Sequence, residues 1–494
     1  MAQQAAAARE LATSPGAPVW SEDWLAVVAG FAIFLLALGP LAGFDLLGWA
    51  TGPRTWVEIG QAVRPASPAY AAVGAPALIA ATYLFVLILM SIGATLMGAS
   101  IGRFVLGFTV VYWLAYLAWV IGSYAAIAAT TPAEMARLGI GWSLRLTGEA
   151  GYLIALILGL AIANLWPGLA RALYPAARPE LYIKTAIVIL GGFLAVKAAE
   201  QVSLASTLMA RGLAAIVEAY LIYWAVVYFI ARKWFGFSRE WAVPLASGIS
   251  ICGVSAAIAT AGAIRARPLV PIMVSSLVVV FAMVELLMLP FVARALFADE
   301  PLLAGAWMGL AVKTDGAAVA SGAITEALIY GDAAARGIKW SPGWVVGTTT
   351  TIKVFIDIFI GVWSFILAYL WTRHIEPRPA GAAFGAAAIW QRFPKFVLGF
   401  LATFLIVLAI GLAASPPVLK TVDAAMGQAN VFRQLFFLLT FLSIGLLGDV
   451  RQLWQEGIGK LAAVYVVSLF GFVIWVGLLI SWLFFHGLRP PLAS

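Results

Sequence analysis

The chain is 494 residues long, 63% hydrophobic and 11% charged, with a formal net charge of +8. So little polar surface cannot keep a chain in water, and the mean hydropathy of +1.00 is spread over the whole length, so lipid is the solvent for most of it and no soluble domain of useful size remains. The Lys and Arg residues are scattered between apolar runs, which excludes a nucleic-acid stripe, and one cysteine with two histidines at the margins of apolar segments excludes a disulfide, a cysteine cluster or an intramembrane histidine metal site.

Residues 1–24 are Ala-rich, contain Arg9, Glu10 and Pro15, and lack the apolar run and cleavage site of a secretory signal, so they are expected to form a disordered N-terminal tail. A bilayer core takes about 20 apolar residues per helix, and by that measure about thirteen spans follow. They are 25–44, 75–98, 103–129, 148–166, 182–199, 210–232, 243–264, 270–297, 303–328, 345–372, 393–413, 432–449 and 460–486. This predicts an all-α polytopic membrane protein. Polar connectors separate the spans, and Trp residues such as Trp24, Trp234, Trp340 and Trp454 stand near segment ends, where indole rings prefer the headgroup zone. The Lys and Arg count in alternate loops gives only a weak orientation bias.

Three stretches carry chemistry. In Leu245 to Arg267, Gly248, Gly253 and Gly262 alternate with Ser247, Ser250, Ser255 and Thr260, so one membrane-depth segment combines helix-weakening residues with hydroxyl donors. Such a segment can unwind and offer amide groups and a positive helix end to an anion, or its small residues can serve close helix packing. Leu442 to Arg451, with Gly445, Gly448 and Asp449, is a second Gly-interrupted stretch about five spans later, as inverted halves would place it; it also reads as an ordinary helix C-terminus. In Gly309 to Gly322, Lys313 and Asp315 lie inside an apolar segment, where a charge costs about 2.5 to 3.5 kcal/mol and is seldom left without a partner. The two are on nearly opposite faces of an ideal helix unless it breaks near Gly316, and so are expected to serve different partners. Lys353 and Asp357 stand four apart on one face and can neutralise each other, while Glu218 and Glu285 are either inert or proton carriers.

At ISICGVSAAIA the sequence resembles the YeiH-type family of bacterial membrane proteins, described as sulfate exporters, whose hallmark run is close to TSICGASAIAA. LILGLAIANLWP (156–167), KTAIVILGG (184–192), AVKTDGAAVASG (311–322), TIKVFIDI (351–358), FPKFVLGFL (393–401) and LSIGLLGDVRQL (442–453) fall in the same order. The resemblance covers roughly 148 to 486. It implies kinship with inverted-repeat carriers of the cation/proton-antiporter and bile-acid-symporter kind, in which two broken helices cross near the midplane, with Ser250 to Ser255 and Gly445 to Asp449 at the crossing. Ser250, Cys252, Gly253, Ser255, Lys353 and Asp449 match the family residue by residue, and Lys184 stands where the family commonly has Arg. One departure matters: a segment that usually reads SIHEVAQVVAAG has Lys313 and Thr314 in place of its His-Glu pair, so a fixed positive charge replaces a titrating imidazole.

The expected organisation is the tail 1–24, an N-terminal extension of about three transmembrane helices over 25–147, a first transporter repeat over 148–297 and a second, inverted repeat over 298–494, with crossing discontinuous helices. The expected function is alternating-access transport of a small anion, sulfate or another sulfur-containing or organic anion, across the bacterial inner membrane. Ser250, Cys252, Gly253, Ser255, Lys313, Thr314, Gly445 and Gly448 would bind substrate. Asp315, Asp449, Lys353 and Asp357 would serve a coupling H⁺ or Na⁺. No metal or other cofactor and no catalysis are expected, and a homodimer is the candidate assembly. An anion channel or a membrane-embedded enzyme is the alternative; the connectors show neither a basic-acidic catalytic cluster nor acidic metal motifs.

Overall fold

The computed structural model describes residues 20–129, 132–144, 150–200, 202–267, 269–375, 395–448 and 459–493. Its principal helices, in chain order, are α1 (Glu22–Ala37), α2 (Ala75–Leu96), α3 (Ile101–Gly122), α4 (Ala150–Leu165), α5 (Pro167–Leu173) and α6 (Pro179–Glu200). They continue with α7 (Val202–Trp234), α8 (Arg239–Ser250), α9 (Val254–Ala263), α10 (Leu269–Leu296), α11 (Pro301–Ala311) and α12 (Asp315–Ala335). The last four are α13 (Trp344–Ile375), α14 (Lys395–Ala413), α15 (Pro416–Leu446) and α16 (Gly459–Phe485). A two-stranded antiparallel ribbon, Thr51–Pro53 with Val63–Pro65, sits between α1 and α2. Among the described residues, nine helices are long and apolar enough to cross a membrane, and α4 with the stretch to Ala176 adds a pair bent by 118°. The architecture is therefore polytopic and all-α.

The chain forms two compact units that interleave along the sequence. The first comprises 1–129, 133–200 and 398–447; the second 130–132, 201–397 and 448–494. The N-terminal helices fall within the first unit. Its interfaces rest on small residues, which let helix backbones approach where lipid gives no hydrophobic drive for association. A Cβ on Gly445 of α15 would lie 2.4 Å from the Leu156 carbonyl oxygen of α4, and one on Gly191 of α6 would lie 2.4 Å from the Phe400 carbonyl oxygen of α14. Thr403 donates to the Val188 carbonyl at 2.7 Å. At one end of this unit Arg178 pairs with Glu22 at 2.7 Å and Lys184 with Asp23 at 2.8 Å.

The second unit contains two helices that break and fold back. Between α8 and α9, Gly253 has φ +62°, ψ −111°, open only to glycine, and a Cβ there would meet Val278 at 2.7 Å and Thr314 at 2.9 Å. The two arms return to a common base, where Glu240 accepts from the Arg267 amide at 2.7 Å and from its guanidinium at 3.0 Å. Residues 239–267 therefore form a re-entrant hairpin instead of crossing. Residues 301–335 form another. Val312 turns extended after α11, and Thr314 caps α12 by accepting from the Ala317 amide at 3.2 Å. Both arms flank one point of α13: Thr349 donates to the Gly305 carbonyl at 2.7 Å, and a Cβ on Gly322 would lie 2.5 Å from its hydroxyl. Asp299 and Arg336 close the base at 2.9 Å.

α10 runs past both hairpins. With 28 residues it is about 42 Å long. Val274 and Val278 face Gly248 and Gly253 of the first hairpin, Glu285 two turns further on accepts from the Lys313 amide of the second at 3.1 Å, and Arg294 near the end chelates Asp332 at 2.7 and 2.8 Å. The hairpins thus enter from opposite ends of α10, and their tips meet near its middle.

Two expectations change. Segments 243–264 and 303–328, read as through-going spans, are hairpins. Segment 432–449, expected to break, is helical without interruption to Leu446, where α15, a helix of 31 residues, ends. Its Gly445 is occupied in packing against α4, so the small residue there reflects close helix approach and not an unwound turn.

Candidate functional site

The two tips, Ile251 to Gly253 and Val312 to Thr314, touch through backbone: a Cβ on Gly253 would lie 3.3 Å from the Lys313 carbonyl oxygen. Lys353, in the third turn of α13 and 2% exposed, reaches both tips. Its ammonium donates to the Ile251 carbonyl at 3.0 Å and the Lys313 carbonyl at 3.4 Å, and lies 3.7 Å from the Asp315 carboxylate. Ligand atoms of Cys252, Asp315 and Asp357 lie within 4.8 Å of one another, all buried.

Lys313 points elsewhere. Its side chain, 1% exposed, donates to the Leu310 carbonyl and places the ammonium 4.3 Å from the centre of the Tyr223 ring. Tyr223 in turn donates to the Val473 carbonyl of α16 at 2.8 Å, and a Cβ on the facing Gly477 would lie 2.7 Å from its hydroxyl and 3.6 Å from Glu218. The break at 312–314 thus sends Lys313 and Asp315 to different partners, as their spacing implied.

The polarity of the hairpins explains why charge is tolerated here. A helix that folds back brings the C-terminal end of one arm and the N-terminal end of the next to the same tip, and these ends carry about half a unit of negative and positive charge respectively. Both ammonium groups sit on carbonyls at the C-terminal ends of α8 and α11, while Asp315 opens α12 and Glu285 accepts from the amide just before it. Among the described residues two lysines, Lys313 and Lys353, nevertheless face four buried carboxylates, Glu218, Glu285, Asp315 and Asp357. Ser250 Oγ and Glu285 Oε1, both buried, have no hydrogen-bond partner among the described residues.

Of the substrate residues expected from sequence, the structure gathers Ser250, Cys252, Gly253, Lys313 and Thr314 at the tips, with Asp315, Lys353 and Asp357 beside them. Ser255 lies in the first turn of α9, and its side chain is outside the described residues, as is all of Asp449. Gly445 lies within α15, in the first unit, and Gly448 just beyond the end of that helix, where the second unit resumes. The sequence reading left Tyr220 and Tyr223 unmarked. Tyr220 donates to the Ile356 carbonyl at 2.6 Å, and the two tyrosines share a π-helical turn, Glu218–Tyr223, a distortion that frequently marks functional sites but has no sequence signature.

Comparison with known proteins places the chain in a family. The model for "conserved hypothetical protein 698" matches residues 142–464. A UPF0324 membrane protein from Nitrosomonas europaea is 40% identical over 95% of this chain and 97% of its own length. Another from Rhodopirellula baltica is 31% identical over 76% of this chain and 62% of its own length. An uncharacterized protein of Archaeoglobus fulgidus is 45% identical over 188 residues, 33% of this chain and 96% of that protein. No solved structure matches the chain. The chain is a multi-pass helical membrane protein and belongs to the UPF0324 membrane protein family.

Proposed function

We propose that the protein is a secondary transporter of the bacterial inner membrane, carrying a small anion by alternating access with H⁺ or Na⁺ as coupling ion. The observation that carries this reading is the tip-to-tip meeting of two hairpins halfway along α10, where buried charges converge. A polar, irregular backbone at that depth is tolerated only where it is enclosed in protein or lines a solute pathway. Entry from opposite ends is what an inverted repeat would produce, which supports the inverted-repeat reading. The resemblance to the YeiH-type family favours sulfate or a related sulfur-containing or organic anion. In this reading Lys313 supplies counter-charge and the small polar residues of the first tip, Ser250 to Gly253, hold the anion. The two carboxylates in excess of the lysines give the coupling cations their place, since neutralising them leaves the lysines to face the anion. The protein is not an enzyme in this account, and a homodimer is the proposed assembly.

Uptake of sulfate, thiosulfate, sulfite and organic sulfonates into liposomes holding the purified protein tests the proposal. Saturable uptake driven by a pH or Na⁺ gradient, lost in Lys313→Ala, is the expected result. Unsaturable flux without coupling would assign a channel instead, and absence of flux together with no ligand-induced thermal stabilisation would contradict anion transport.

A further inference from the structure

We propose that Lys353 is a tethered cation: its ammonium fills a monovalent-cation site between the two hairpin tips and latches them shut. The site is made by oxygens of separate elements. Ile251 O comes from the first tip, Lys313 O from the second, and the Asp315 carboxylate from the start of α12, at 3.0, 3.4 and 3.7 Å from Nζ. The Asp357 carboxylate and the Cys252 thiol complete the surroundings, each within 4.8 Å of the Asp315 ligand atom. Two main-chain carbonyls and a carboxylate around one positive centre are hard oxygen ligands of the kind alkali and alkaline-earth cations take, and neither carbonyl has a side-chain donor other than Lys353 among the described hydrogen bonds.

The ammonium can act as a latch because it donates to a carbonyl of each tip. An ion pair serving only stability would need Asp315 alone; here the carbonyls of both turns are ligands as well. Opening the tips separates Ile251 O from Lys313 O and strands a buried cation, a costly state unless another cation or water replaces those oxygens. Whichever solute the protein carries, the native protein needs no sodium between the tips, whereas a chain without the lysine should bind it there.

Cys252 is the chain's one cysteine and lies buried in the first tip, so its alkylation by a small maleimide reports tip opening without an added probe. Wild-type protein and Lys353→Met are compared in detergent in sodium chloride and in choline chloride at equal ionic strength. The wild type should react slowly in both salts. Lys353→Met should react on the order of a hundredfold faster in choline, the consequence of leaving buried oxygens and carboxylates without their cation, and sodium should slow it by at least about tenfold. Lys353→Arg, which keeps the charge, should stay slow in both. Three results would overturn the proposal: equal slow rates for Lys353→Met and wild type in choline, a fast variant that sodium does not slow, or a sodium effect of equal size in the wild type. Should Lys353→Met fail to fold in choline, its recovery in sodium is the same test, and failure in both salts also overturns it.

Discussion

Gly253 shows how much of the site depends on one residue. Its backbone lies where an L side chain is strained by about 1–3 kcal/mol, and a Cβ would also press on Val278 and Thr314 across the tip contact. Gly253→Ala should therefore lower the unfolding temperature and expose Cys252 to alkylation; unchanged values in both would mean that the tips do not touch as described. This position was legible in the sequence, because glycines alternating with serines in an apolar run announce a helix that can break. Lys313 was legible too, since a lysine at bilayer depth demands a partner. The identity of that partner was not: Tyr223 and Glu218 stand some ninety residues earlier, and only the folded chain brings the ring 4.3 Å from the ammonium. The carbonyl partners of Lys353 were hidden for the same reason. Its neighbour four residues on offered a local explanation, and the carbonyls that hold it come from two distant turns.

At the level of elements, hydropathy located the apolar helices, although α15 starts at Pro416, well before the expected 432, and hydropathy does not say whether a segment crosses or returns. The folding back of 239–267 and 301–335 is set by ion pairs at the bases and by contacts to α10 and α13, all between residues far apart in the chain. The start of α13 illustrates such a tertiary device. Glu326 of α12 accepts from the amides of Gly343, Val345 and Val346 at 2.7, 2.9 and 3.2 Å, capping a buried helix end that has no capping side chain of its own. Glu326→Ala should cost about 1–3 kcal/mol in thermal or denaturant unfolding, and Glu326→Gln, which retains one acceptor, less. A neutral effect of Glu326→Ala would show that water or another group caps α13. For Gly445, sequence could not separate packing from binding. Gly445→Ala should force α15 from α4 and destabilise the protein by about 1–3 kcal/mol, with ligand-induced stabilisation retained in the folded fraction. Loss of that stabilisation at unchanged melting temperature would return Gly445 to the binding site.

For the molecule as a whole, composition sufficed to establish a lipid-embedded all-α chain, because no other solvent accommodates its surface. The grouping of helices was hidden. The first unit joins the N-terminal helices to 398–447, and the second joins 201–397 to the C-terminal helix, an interleaving that no local pattern records. The central claim is that two hairpins enter the second unit from opposite sides of the membrane and meet within it. Labelling tests this most directly: in a Cys252→Ser background, Arg267→Cys at the base of the first hairpin and Asp299→Cys at the base of the second are probed with a membrane-impermeant maleimide in right-side-out and inverted vesicles. Both native side chains are exposed at 68% and 65%, so reagent can reach them. The two cysteines should label from opposite sides, each protected in the vesicle orientation that labels the other; labelling of both from one side would contradict the account.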